Sequence, residues 1–97
     1  MNQDIIDDYQ SEAEIFKSLA HPTRLFIVHA IHDKKLSVKE LTEMIGVDIS
    51  TVSKHLDILK RHKIIVGEKH KNNVFYTLNI PCVLDFMSCA NRILNKS

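Results

Sequence analysis

Apolar residues recur at helical spacing along most of this chain and change to a β-branched, aromatic pattern over one short stretch. Ile5, Ile6, Tyr9, Ile15, Phe16 and Leu19 form a rough stripe that predicts a helix over residues 3–19. The run "AHPTRL" interrupts it. Pro22 suits the first turn of a new helix, where its missing N–H has no partner to lose. Leu25, Phe26, Val28, Ala30 and Ile31 carry that second helix to about His32, and the polar "HDKK" closes it.

"SVKELTEMIG" carries its own boundaries: Ser37 and Glu40 have the spacing of a capping box, and Gly46 is a C-terminal stop. Val38, Leu41, Met44 and Ile45 give this helix an apolar face. After a short "VD" turn, Asp48 caps another helix, "ISTVSKHLDILKRH". Val52, Leu56 and Leu59 should point inward there, and Lys54, Lys60 and Arg61 outward. Two short helices joined through a glycine-containing turn make a helix-turn-helix. "KIIVGEKH" and "NVFYTLN", separated by a polar "KHKNN" tip, then predict a hairpin. Asn79 is expected to cap a last helix with Pro81 in its first turn, running to about Leu94. The whole reads as one domain over residues 1–97, mainly α with a β-hairpin wing: a winged helix-turn-helix.

Composition agrees with this without adding much, since 44% hydrophobic and 26% charged residues suit a small soluble domain. No apolar run approaches the ~18 residues of a membrane span, and no basic-then-apolar leader opens the chain. Two cysteines do not make a disulfide framework, so the expected compartment is a reducing cytoplasm. A domain this small buries a modest core, which makes oligomerisation a plausible source of stability.

Charge changes the picture more. Residues 1–14 carry Asp4, Asp7, Asp8, Glu12 and Glu14 with no lysine or arginine. Residues 49–75 carry Lys54, Lys60, Arg61, Lys63, Lys69 and Lys71 against Asp57 and Glu68. A basic middle points to a polyanion partner, although charge alone also fits a solvated lysine-rich surface. Because a helix fits the major groove and meets base edges through its N-terminal residues, Ile49, Ser50, Thr51, Ser53 and Lys54 are the candidate readers, with His55 behind them. Lys60, Arg61, Lys63, Lys69 and Lys71 are candidates for phosphate, and Asn72 and Asn73 at the tip suit a turn together with minor-groove or phosphate contacts. The same hydroxyls also start helices, and some winged helices bind only protein.

Three blocks, "FKSLAHPTRLFIVHAI", "SVKELTEMIGVDISTVSKHLDILKRHKII" and the wing ending "VFYTLN", lie in order over residues 16–79. Together they resemble the ArsR/SmtB family of bacterial winged-helix repressors, and the flanking helices extend the likeness to nearly the whole chain. The resemblance implies an α1-α2-α3-α4-β1-β2-α5 order and a homodimer built through the first and last helices. It further implies operator DNA with an imperfect palindrome, and repression relieved by an inducer. Where such recognition helices often carry glutamine, this chain has Ile49, which can touch a thymine methyl but cannot bond adenine.

The inducer is the open question. The family's arsenic-type motif would fall on "KLSVKEL", where Ser37 and Lys39 replace thiols, and the last helix offers Asp85 but no histidine for the zinc-type site. His29 and His32 lack an evident third ligand. Cys82 and Cys89 remain, two helical turns apart. At about 1.5 Å rise per residue their Cα atoms lie roughly 10 Å apart, beyond the ~7 Å limit of a disulfide and the reach of one metal. Across an antiparallel pair of last helices, however, Cys82 of one protomer can meet Cys89 of the other twice. Such dithiol sites suit redox switching, a persulfide, or a thiophilic metal or metalloid. The alternatives are plain interface packing, a regulator without a thiol inducer, and a protein-interaction module. A thiol enzyme is disfavoured, because neither a Cys-x-x-Cys nor a Cys–His–acid arrangement is present in sequence.

Overall fold

The structure, a computed structural model, describes residues 2–95. The elements run α1 (Gln3–Leu19), α2 (Pro22–Asp33), β1 (Leu36–Ser37), α3 (Val38–Ile45), α4 (Ile49–Arg61), β2 (Ile65–His70), β3 (Asn73–Leu78) and α5 (Cys82–Leu94). Five helices and an antiparallel sheet in the order β1-β3-β2 make a winged helix-turn-helix.

The helix boundaries follow the local chemistry. Asn2 accepts from the Asp4 amide, and His21 accepts through Nδ1 from the Thr23 amide directly before Pro22. Ser37 and Glu40 form the expected capping box, each side chain bonding the other residue's backbone N–H. Gly46 ends α3 in the left-handed region, φ 82°, which costs a residue without Cβ nothing.

One buried cluster joins the elements: Leu19, Ile27, Val28, Ile31, Leu36, Leu41, Val52, Leu56, Leu59, Ile64 and Ile65. Val52, Leu56 and Leu59 point inward as their spacing requires. In α2 the inward residues are Ile27, Val28 and Ile31, while Phe26 remains 40% exposed.

Three expectations are corrected. A third strand, β1, pairs Leu36 with Tyr76 and Ser37 with Phe75; two residues give no alternation to detect. The wing tip is tighter than "KHKNN": pairing continues to His70↔Asn73, leaving Lys71 and Asn72 as the turn. Within the wing, Gly67 opposes Tyr76, and a Cβ there would meet that ring at 3.1 Å. Asn79 does not cap α5. Its side-chain amide donates to the Lys63 carbonyl at 2.9 Å and its backbone N–H to that of Ile64 at 2.8 Å. The helix begins after Pro81, where Val83 and Leu84 donate back to Ile80 and Pro81 in a tight first turn.

The outer helices are left open. Ile5, Tyr9 and Phe16 on α1 are 49%, 62% and 50% exposed, and no residue of α5 is fully buried. A radius of gyration of 15.1 Å exceeds the ~13 Å of a compact chain this long, in keeping with flanking helices that lack a covering layer. Among the described residues, no helix is long and apolar enough to cross a membrane.

Candidate nucleic-acid interface

The N-terminal corner of α4 is organised by Asp48. Its carboxylate accepts from the Thr51 amide at 3.2 Å, from Thr51 Oγ1 at 2.7 Å and from Ser50 Oγ. These bonds, the Ser50 hydroxyl first and then those from Thr51, hold the Asp48 carboxyl down at about 2. The carboxylate is therefore ionised throughout the physiological range. Beside it Ile49 is 52% exposed, Ser50 and Lys54 are exposed, and Thr51 and Ser53 are half-buried.

His55 sits behind this corner, half-buried against the start of α2. Its ring lies 4.5 Å from that of His21, and its Nδ1 is 3.2 Å from Arg24 Nη1. A guanidinium has no lone pair to offer, so Nδ1 of His55 is the acceptor and the ring is the neutral Nε2–H form. Burial, then the neighbouring His21 and Arg24, push its pKa below the usual histidine range. Arg24 also donates through Nε to the Ser18 carbonyl at 2.6 Å. Helix α4 is thus tied to the α1–α2 junction by a polar clamp as well as by its apolar face.

The other end of α4 carries the cations. Lys60 and Arg61 are exposed, and the helix closes in a Schellman turn: Ile64 N–H to Leu59 O and Lys63 N–H to Lys60 O, both 3.0 Å. Lys63 occupies the left-handed position of that turn, φ 61°, where glycine is usual. Lys69 and Asn73 lie exposed on the wing strands, and Lys71 and Asn72 form its tip, with Lys71 also left-handed at φ 59°. Among the described residues the one ion pair is His32–Asp33, so none of these lysines, nor Arg61, is paired with a carboxylate of the described residues.

Cys82 and Cys89 are free and exposed on α5. Val83, Leu84 and Met87 pack on the core from the inner face of that helix. The outer face is a stripe of Cys82, Phe86, Cys89 and Ile93, with Phe86 59% and Ile93 69% exposed. Phe86 meets Phe16 of α1 edge-on, ring centroids 5.9 Å apart, so the open apolar surfaces of α1 and α5 are continuous. Among the described residues, no group of three or more His, Cys, Asp or Glu side chains is gathered as a metal site would require.

Two features escaped the sequence reading. The hold of Asp48 on both hydroxyls was visible in principle, because Asp-x-Ser-Thr places two donors beside a cap. The Arg24–His55 contact spans 31 positions and had no local signal.

Comparison with known proteins agrees with this geometry. The helix-turn-helix domain family matches residues 19–68. An uncharacterized HTH-type transcriptional regulator of Mycobacterium tuberculosis is 30% identical over 91% of this chain and 78% of its own length. Its crystal structure superposes with a TM-score of 0.80 at 29% identity, covering 91% of this chain and 89% of that one. The transcriptional repressor SmtB homolog of Synechocystis sp. is 34% identical over 75% of this chain and 55% of its own. Reduced HlyU from Vibrio cholerae, 28% identical, superposes with a TM-score of 0.78 over 95% and 97% of the two chains.

Proposed function

This chain belongs to the ArsR/SmtB family of winged helix-turn-helix transcriptional repressors, and on that premise we propose that it acts as a homodimer on operator DNA and is released through the thiols of α5. The observation that carries the DNA reading is the exposed, unneutralised row of Lys54, Lys60, Arg61, Lys63, Lys69 and Lys71 along α4 and the wing. The N-terminal corner of α4 enters the major groove with Ile49, Ser50, Thr51, Ser53 and Lys54 toward the bases. The lysines and Arg61 neutralise phosphate, and the wing tip with Asn72 and Asn73 follows the backbone alongside. His55, behind this corner, contributes by holding α4 against Arg24.

The dimer is supported by the continuous apolar surface of α1 and α5, which no other described element covers. Antiparallel packing of two α5 helices sets Cys82 of each protomer against Cys89 of the other. Oxidation by a peroxide then removes two electrons and two protons from each thiol pair and forms a disulfide across the axis. A low-molecular-weight persulfide passes its outer sulfur to one thiol with release of its own thiol, and the facing thiol then displaces hydrogen sulfide to close the same disulfide; a soft metal or metalloid instead binds both thiolates with release of their protons. Either event alters the spacing of the two recognition helices, on which a palindrome depends.

The test is binding of purified protein to its own promoter region across a salt series, reduced, peroxide-treated, and exposed to arsenite, zinc, cadmium or persulfide. Reduced protein should bind with affinity that falls steeply with salt, and Lys54→Ala should weaken binding without changing the melting temperature. Binding that is absent or indifferent to salt refutes the DNA reading. Binding unaffected by every thiol reagent refutes the inducer reading alone.

A further inference from the structure

The outer sides of α2 and α3 meet at an open cleft of about 710 Å³, lined from α2, β1 and α3. Its apolar lining is Phe26, Ala30, Leu36 and Met44, with Phe26 40% and Met44 54% exposed. A smaller cleft of about 300 Å³ shares Phe26 and Met44 and continues to Pro22 and Ile45. None of these residues lies on α1, α4, α5 or the wing, so neither the DNA surface nor the dimer surface accounts for them.

The polar lining is His29, Asp33, Lys34, Glu40 and Glu43: three carboxylates against one lysine. Glu40 accepts from the Ser37 amide at 3.0 Å, and that bond first, with Lys34 contributing, holds its carboxyl below the usual range. Asp33 has His32 beside it at 3.7 Å, a partner that carries charge only when protonated, and Glu43 is exposed with no ion pair among the described residues. An aromatic face attracts a cation, and a methionine adapts its shape to an apolar body. A cleft of this volume takes a small ligand, whereas a stable protein partner covers about 800 Å² a side. We propose that the α2–α3 cleft is a binding site for a small lipophilic organic cation, its apolar body on Phe26 and Met44 and its charge toward Asp33, Glu40 and Glu43. Because α3 leads through Gly46 into α4, an occupant bears on the support of α4 without touching the thiols.

The test is titration of isotope-labelled protein, without DNA, with tetraphenylphosphonium and with tetraphenylborate, which has the same shape and the opposite charge. The phosphonium should shift the amides of Phe26, Ala30 and Met44, and the borate should bind at least about ten-fold more weakly. Asp33→Asn and Glu43→Gln, both at exposed positions and checked by thermal melts, should each lower phosphonium affinity about two- to five-fold and together about ten-fold. Equal affinity for the two ions, or variants that bind as the wild type does, removes the cation preference and the proposal with it. Shifts gathered on α1 and α5 instead, or none at millimolar phosphonium, overturn the site. If a peptide of leucine and lysine moves these amides and the phosphonium does not, the cleft is a peptide groove and the proposal falls. It falls too if the amides shift on dilution of the protein alone, which makes a second copy the occupant.

Discussion

Replacing Lys63 with glycine should raise stability and lower DNA affinity together. Lys63 sits at φ 61° in the Schellman turn that ends α4. An L-residue in that region is disfavoured by about 1–2 kcal/mol, while glycine's greater freedom in the unfolded chain offsets about 0.5–1 kcal/mol. The bonds that residue 63 makes in the turn use only its backbone atoms: its N–H to Lys60, and its carbonyl to the Asn79 amide at 2.9 Å. Lys63→Gly therefore keeps them, and the net gain is about 0.5–1 kcal/mol. For a domain of this size that is a rise of about 2–8 °C in melting temperature, measured at fixed protomer concentration because the proposed dimer would make the midpoint concentration-dependent. The lost ammonium acts in the opposite direction on DNA. Each phosphate contact removed lowers the slope of log affinity against log salt by about 0.9, hence about 1.8 for a dimer using Lys63 twice. A melting temperature that falls or stays the same refutes the strain assigned to this turn. An unchanged salt slope removes Lys63 from the phosphate contacts.

Leu56→Ala, at a position 1% exposed, should cost about 2–5 kcal/mol and lower the melting temperature sharply, while Lys54→Ala on the outer face of the same helix leaves it unchanged. Equal melts would mean that α4 is rotated from its described face. His55 has a pKa below its unfolded value of about 6.5, so the unfolded chain takes up that proton first and the contribution is fully present above that pH. Stability should therefore fall as pH drops below about 6.5 toward the folded value, and the difference between wild type and His55→Gln should shrink over that window. A difference independent of pH would remove His55 as a titrating contributor. Peroxide-treated protein should run as a covalent dimer on a non-reducing gel, and Cys82→Ser or Cys89→Ser should each abolish the band; monomer throughout would refute the cross-axis pairing.

The sequence by itself determined those elements whose signals are local. The capping box of Ser37 and Glu40, Gly46 at the end of α3, Asp48 at the start of α4 and the inward Val52, Leu56 and Leu59 all depend on neighbours within a few positions. So the helix-turn-helix and its exposed cations were legible, and the family resemblance rested on the same blocks. Tertiary structure decided what depends on distant partners. Residues 36–37 became a strand because β3 offered a free edge, and Asn79 was drawn from its expected capping role to the carbonyl of Lys63. His55 turned toward Arg24, a contact across 31 positions that no periodicity encodes. The apolar stripe of α1 predicted a helix correctly but could not say what covers it. Tyr9 and Phe16 stay at the surface because no described element lies over them, and a helical period cannot report which of its faces a neighbour will cover.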